Sequence, residues 1–180
     1  MGTRKKIKSK KSNKRFRKTQ TKKQKGGDAE LDKKLFEAAK NNKLDEVIAA
    51  LTNGADVNAK NENGTTALYW ASRKGHTEIV TMLLEKRANV DAKDNGGYTA
   101  LYWASYYGHT DIVKLLLEKG ASVNELGNNG RTALDMASDE GHAEIVEMLE
   151  EAIANNTENN SSDETQEETQ EETQYEKHKK

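Results

Sequence analysis

The heptapeptide TALYWAS occupies residues 66–72 and occurs again, letter for letter, at residues 99–105. It contains an adjacent Tyr-Trp pair, so a chance recurrence within 180 residues is not a reasonable explanation. The string is therefore either a catalytic motif that is used twice or part of a structural unit that is repeated. The spacing of the residues around it distinguishes these two interpretations.

Residues of the same type recur at intervals of 33 well beyond the heptapeptide. The interval relates five residue types through three copies: Thr66/Thr99/Thr132, Leu68/Leu101/Leu134, Ala71/Ala104/Ala137, Gly75/Gly108/Gly141 and His76/His109/His142. One further interval towards the N-terminus reaches Leu35, Ala38 and Asn42 without any insertion. A fixed period of this kind indicates a tandem array. We predict four units at about 31–63, 64–96, 97–129 and 130–153, the last of them truncated.

Each unit has the pattern of two short helices. In the third unit Thr99 is suited to cap the start of a helix, and Gly108 is suited to end it. Apolar residues then recur at helical period within 112–117, and Gly120 follows. Two short helices cannot bury their own apolar faces, but stacked copies can. The repetition of TALYWAS therefore indicates a tiled structural unit.

These residues resemble ankyrin repeats. The stretch GTTALYWASRKGHTEIVTMLLEKRANVDAKDN at 64–95 follows the family pattern of a Thr-x-Leu opening, a Gly-His pair and an Ile-Val-x-x-Leu-Leu helix. The resemblance covers residues 28–153. It implies an all-α solenoid of stacked helix-turn-helix units with β-turn tips.

The chain departs from the family pattern at several places. Tyr69 and Tyr102 replace the usual His, and we expect their rings and hydroxyls to act structurally. Trp70 and Trp103 replace the usual Leu, and we expect them to pack between repeats. Arg87 replaces a Gly at a position that favours positive φ, so the junction of the second and third units is predicted to be the softest.

No feature of the sequence indicates catalysis, a metal or a cofactor. The chain has no cysteine, no nucleophile-elbow motif and no phosphate-binding glycine loop. Equivalent histidines of stacked repeats lie about 10 Å apart, whereas zinc requires ligands within about 2.1 Å. We therefore predict that each histidine braces the start of its second helix, and that the protein is not an enzyme.

The resemblance implies that a partner protein binds along a concave face, formed by the turn tips and the exposed side of each first helix. The family's variable positions on that face fall on Glu62, Asn63, Thr65, Arg73 and Lys74 in the second unit, Asn95, Gly96, Tyr98, Tyr106 and Tyr107 in the third, and Asn128, Asn129, Arg131, Asp139 and Glu140 in the fourth. We expect the three tyrosines to form an aromatic centre between a basic and an acidic flank. The alternative is that Tyr106 only covers a neighbouring helix.

Charge divides the chain into three segments. Residues 1–27 contain thirteen Lys and Arg and no acid, residues 28–153 have a net charge of −9, and residues 154–180 have −5. The first segment has almost no apolar residue to bury, and the last contains the low-complexity string TQEETQEETQ. We predict a disordered basic arm at 1–27, the repeat domain at 28–153 and a disordered acidic tail at 154–180.

The basic arm has three interpretations. Its cations would bind phosphate, which favours contact with nucleic acid through residues 1–25 or nuclear import. An anionic membrane surface is a second interpretation, although the arm has no apolar face and no lipidation motif. Third, the arm and its closing Gly26-Gly27 resemble the N-termini of many proteins of large DNA viruses, in some of which viral proteases cut Gly-Gly bonds.

We therefore predict a monomeric intracellular scaffold, cytoplasmic or nuclear, and in a host cell if the chain is viral. It binds an unidentified protein on the concave face. The alternative is a nuclear or nucleic-acid-associated adaptor whose basic arm dominates binding. No run of residues approaches the roughly 20 apolar residues that a membrane span requires.

Overall fold

The computed structural model of the chain describes residues 28–156. The predicted basic arm and nearly all of the predicted acidic tail lie outside the described residues. Within 28–156 the backbone forms eight α-helices and no strand. They are α1 (Ala29–Lys40), α2 (Leu44–Thr52), α3 (Ala67–Lys74), α4 (Thr77–Glu85), α5 (Ala100–Tyr106), α6 (Thr110–Glu118), α7 (Ala133–Asp139) and α8 (143–156).

The helices are arranged in two rows. The odd-numbered helices α1, α3, α5 and α7 pack side by side in chain order, and α2, α4 and α6 form the neighbouring row. Within a unit the two helices pack on each other, as α1 does on α2 and α3 on α4. The predicted all-α repeat solenoid is confirmed.

The core runs continuously through the stack because equivalent residues are buried in successive units. Leu35, Leu68 and Leu101 of the first helices are at most 1% exposed. The second helices bury Ile79 and Ile112, and α8 buries the equivalent Ile145. Each apolar stripe is thus buried partly by the next unit, which is the physical reason for tandem repetition.

Threonine caps begin three of the first helices, as the sequence predicts. The hydroxyls of Thr66, Thr99 and Thr132 accept hydrogen bonds from the backbone N–H three residues ahead. In α7 the cap is reciprocal, since the Asp135 carboxylate accepts from the backbone N–H and the hydroxyl of Thr132. These two hydrogen bonds to the charged form hold the pKa of Asp135 below its ordinary value.

Left-handed backbone follows the helices where the sequence predicts it. Gly75 and Gly108 have φ of 78° and 72° after the first helices, and Asn42 has φ of 57° at the equivalent position of the first unit. Arg87 has φ of 64°, so the positive φ expected at this departure from the family pattern is confirmed. A side chain at such a φ is strained.

The last helix extends three residues beyond the predicted boundary at residue 153, because residues 154–156 are still helical. Ala152 and Ile153 pack against the core just before this point. Their packing ties the last turn to the stack.

Candidate functional site

Hydrogen bonds between repeats join the turn tips into a row. The backbone N–H of Asn95 donates to the carbonyl of Asn63 at 3.0 Å, and that of Asn128 donates to Gly96 at 2.9 Å. The side-chain amides of Asn95 and Asn128 donate to the carbonyls of Glu62 and Asn95. The side-chain amides of Asn95 and Asn128 therefore hydrogen-bond the preceding repeat. Glu62 and Asn63, by contrast, are exposed.

The histidines connect successive repeats, and their predicted role was wrong in detail. No side-chain bond caps α4 or α6, although His76 and His109 stand at their N-termini. Instead Nε2 of His109 lies 3.3 Å from the carbonyl oxygen of Arg73, and that of His142 lies 3.1 Å from that of Tyr106. A carbonyl only accepts, so each Nε2–H donates back to the first helix of the preceding unit.

A line of equivalent residues marks the ends of the first helices. Lys40, Arg73, Tyr106 and Asp139 are each 33 residues from the next. Lys40, Tyr106 and Asp139 are the last residues of α1, α5 and α7, and Arg73 is the last but one of α3. We call them the terminal row. The histidine bonds hold the carbonyls of its first three members against the following unit. The row therefore has a fixed spacing along the stack.

Four tyrosine rings of the third unit surround Trp103. The Trp103 ring lies 5.5 Å from those of Tyr98 and Tyr102, 5.8 Å from Tyr106 and 6.0 Å from Tyr107, measured between centroids. We call these five residues the aromatic cluster. The three tyrosines that the sequence predicts as a centre do meet there. Tyr98 reaches the other two through Trp103.

Arg73 extends the aromatic cluster towards the second unit. Its Cζ lies 4.8 Å from the Trp103 ring centroid and 5.5 Å from that of Trp70, and Nη2 donates to the Tyr107 hydroxyl at 3.4 Å. This hydrogen bond is the main cause of the raised pKa of Arg73. Lys40 is placed similarly, with Nζ 5.0 Å from the Trp70 ring. Both cations thus lie against aromatic faces.

The two tryptophans differ in the hydrogen bond that their indole makes. Nε1 of Trp70 donates to the Thr65 hydroxyl at 3.0 Å. Tyr98 stands at the position equivalent to Thr65, and the Nε1 of Trp103 is buried without a partner in the described part of the chain. The expectation that Thr65 lies on the contact surface was wrong: it is 4% exposed and serves as the acceptor for Trp70.

The fourth unit forms the acidic flank. Arg131 forms an ion pair with Asp139, so two residues of the predicted surface neutralise each other. Asn129 donates from Nδ2 to the Tyr102 hydroxyl at 2.9 Å, which gives that hydroxyl the partner expected of it. Burial nevertheless raises the pKa of Tyr102. Glu140 is exposed beside the ion pair.

Comparison with known proteins decides the family. A family model described as ankyrin repeats in three copies matches residues 35–126, and a second, described as ankyrin repeats in many copies, matches 103–150. The chain is an ankyrin-repeat protein. Such repeats indicate a protein-interaction module, and the family is generally a non-catalytic scaffold.

Two kinds of curated relatives match part of the ankyrin domain. Acyl-CoA-binding domain-containing protein 6 of Bos taurus and of Homo sapiens is 44% identical over 54 residues, which is 29% of this chain and 19% of that protein. Osteoclast-stimulating factor 1 of Sus scrofa is 44% identical over 52 residues, 29% of this chain and 24% of that protein. The chain therefore spans a quarter or less of the length of these relatives.

Sequence reasoning missed three residues of this surface. Trp70 and Trp103 were assigned to packing between repeats, and the 6.1 Å contact of Trp103 with Tyr69 confirms that assignment. Both tryptophans also lie beneath the cations at the helix ends. Lys40 was overlooked, although the 33-residue period places it in register with Arg73.

Among residues 28–156, no group of three His, Cys, Asp or Glu side chains is placed to hold a metal ion. None of the helices described is both long and apolar enough to cross a membrane.

Proposed function

We propose that this ankyrin protein is a non-catalytic scaffold that binds a partner protein on the first-helix face. We define that face as the turn tips together with the exposed ends of α1, α3, α5 and α7. The aromatic cluster lies at its middle, with Arg73 and Lys74 on one side and Glu140 on the other. The remaining surface positions predicted from the sequence, Thr65 excepted, would form its rim.

The observation that carries the proposal is the composition of the aromatic cluster. Tyr, Trp and Arg are the residues most enriched where protein interfaces gain their affinity. Tyr107 is 42% exposed even though it stacks with Trp103 and accepts from Arg73. A partner would therefore meet a ring that is already held in place, which lowers the entropic cost of binding.

The unpaired indole N–H of Trp103 supports the same proposal. Leaving a buried donor without an acceptor costs about 1–3 kcal/mol. The second unit avoids this cost with Thr65, and the third unit replaces that threonine by Tyr98. Tyr98 at this position gives the third unit a further ring of the aromatic cluster in place of an acceptor for Trp103.

A selection experiment tests the proposal. A random peptide display library would be selected on the full-length protein, and the affinities of the recovered peptides measured for the protein and two variants. Tyr107→Ser removes the exposed ring of the first-helix face. Ile48→Ser is its matched control, because Ile48 is 40% exposed on α2, in the other row. We expect Tyr107→Ser to weaken binding about tenfold or more and Ile48→Ser to leave it unchanged.

The opposite pattern would contradict the proposal. Peptides that ignore Tyr107→Ser but lose affinity with Ile48→Ser would place the binding surface on the second-helix row. The melting temperature of each variant shows whether a loss of affinity reflects a loss of fold.

A second candidate function rests on the thirteen cations of residues 1–27. In this alternative the arm provides most of the affinity, and the protein is an adaptor associated with nucleic acid. Retention of the full chain on single- and double-stranded DNA and RNA should then fall steeply with salt, because phosphate contacts release counterions. If retention does not depend on salt, the adaptor function is excluded.

A further inference from the structure

The charge of the first-helix face changes from one end of the stack to the other. Along the terminal row the residues are Lys40, Arg73, Tyr106 and Asp139. The residues that follow them are Asn41, Lys74, Tyr107 and Glu140. The face therefore begins with cations in the first two units, has two tyrosines in the third and ends with two acids in the fourth.

Helix stability explains only the basic end of this gradient. Cations in the last turn of a helix interact favourably with its dipole, which would account for Lys40 and Arg73 without any ligand. Acids at the same place are unfavourable by the same argument. Asp139 closes α7, and Glu140 follows it directly. The acidic end thus opposes the preference of the helix on which it lies.

The charges at both ends are available to a partner. Lys40, Arg73 and Lys74 take part in no ion pair within residues 28–156. Arg73 hydrogen-bonds the side chains of Tyr107 and Tyr69 and is held in place by two indole faces, and its remaining N–H groups can donate to a carboxylate. At the other end Asp139 is neutralised by Arg131, and Glu140 remains exposed.

We propose that this face binds an extended segment of another protein in which acidic, aromatic or apolar, and basic residues follow in that spatial order. The inference rests on the proposed function and adds the chemistry of the partner. Successive units lie about 10 Å apart, and an extended chain advances about 3.3 Å per residue. The acid and the base of the segment therefore each lie about three residues from the central ring.

The charge distribution favours a protein segment over a nucleic acid. The ankyrin domain at 28–153 has a net charge of −9, and its acidic end would meet any polyanion that followed the row. The chain's own residues 163–180 also run from acids through Tyr175 to lysines. Residues 154–180 have a net charge of −5, and the ankyrin domain has one of −9, so electrostatic repulsion disfavours binding of residues 163–180 to this face. We therefore assign the face to a separate partner.

Three synthetic peptides of equal length test the charge order on the full-length protein. They are DEGGYGGKK, DEGGYGGDE and KKGGYGGKK, and their affinities would be compared by titration at low salt. We expect the first to bind about fivefold more tightly than either of the others, since each matched exposed pair contributes modestly. Glu140→Lys should make DEGGYGGDE the preferred peptide. Glu147→Lys makes the same change of charge at an exposed position on α8, away from the first-helix ends, and should leave the order of affinities intact.

Three other outcomes would each overturn a different part of the proposal. Equal binding of the three peptides, all weakened by Tyr107→Ser, overturns the charge order and leaves the proposed function standing. If the peptides bind but ignore Tyr107→Ser, the proposed function fails as well. A synthetic peptide of residues 163–180 that binds as tightly as DEGGYGGKK and responds equally to Glu140→Lys would overturn the assignment to a separate partner.

Discussion

At the residue scale, the sharpest strain in the described backbone is at Arg87, just after α4. Its φ of 64° lies in the region that glycine adopts without cost, and its neighbour Lys86 has an ordinary φ of −82°. The equivalent positions of the adjacent units are Gly54 and Gly120, both with positive φ. The second unit therefore carries a local cost that its neighbours avoid.

Replacement of Arg87 by glycine should stabilise the protein. We expect Arg87→Gly to raise the free energy of unfolding by about 1 kcal/mol, because it removes the steric conflict of a left-handed side chain. Urea denaturation of the full chain measures the change. Lys86→Gly is the matched control, and there we expect no gain. An equal gain in both variants would show that the φ of Arg87 is not the cause.

Asp135 makes the stability depend on pH in a defined direction. Its folded-state pKa is lowered by hydrogen bonds from Thr132, so its contribution is complete above its unfolded pKa and is lost as the pH falls through the folded value. We expect Asp135→Asn to cost about 0.5 kcal/mol at pH 7. The difference from the unaltered protein should be smaller at a strongly acidic pH, where Asp135 is protonated in both states, than at pH 7. Thermal unfolding at both pH values checks this, with Glu147→Gln as a control for the loss of one exposed carboxylate.

At the element scale, each first helix is defined by its own sequence and positioned by its neighbour. The threonine caps and the glycines that end the helices could be predicted, because both depend on local backbone geometry. The histidine bonds to the preceding unit could not, since they need the position of another helix. The same limit explains Thr65, which the family's variable positions placed on the contact surface although its hydroxyl is bound to Trp70.

Alanine substitutions at two glycines distinguish the cost of backbone strain from the cost of a close contact between elements. Gly108 and Gly120 have φ of 72° and 80°, so an alanine is strained at both. At Gly120 an added Cβ meets nothing within 4 Å, whereas at Gly108 it would lie 2.6 Å from Cε1 of His142. We expect Gly120→Ala to cost about 1 kcal/mol and Gly108→Ala to cost at least about 1 kcal/mol more. Equal costs in urea denaturation would mean that the His142 contact carries little of the stacking energy.

At the scale of the whole molecule, the fold follows from the 33-residue period. Once Leu35, Leu68 and Leu101 are in register, the stacked helices and their common core follow from the need to bury equivalent stripes. The site was less accessible to sequence reasoning. The period locates the terminal row, but the meeting of Trp103 with four tyrosines depends on side-chain directions that spacing does not specify.

The two rows of helices differ in the proposed roles of their side chains. The described second helices mainly supply the core through residues such as Ile79 and Ile112. The first helices supply both the core and, at their ends, the aromatic cluster. On the proposed function, a partner contacts the first-helix face and leaves α2, α4 and α6 free.

Amide hydrogen exchange of the full-length protein, with and without a peptide selected from the display library, tests that claim most directly. We expect slower exchange on binding at the ends of α5 and α7 and in the turn at residues 94–98, with no change in α2, α4 and α6. Slower exchange confined to α2, α4 or α6 would contradict it.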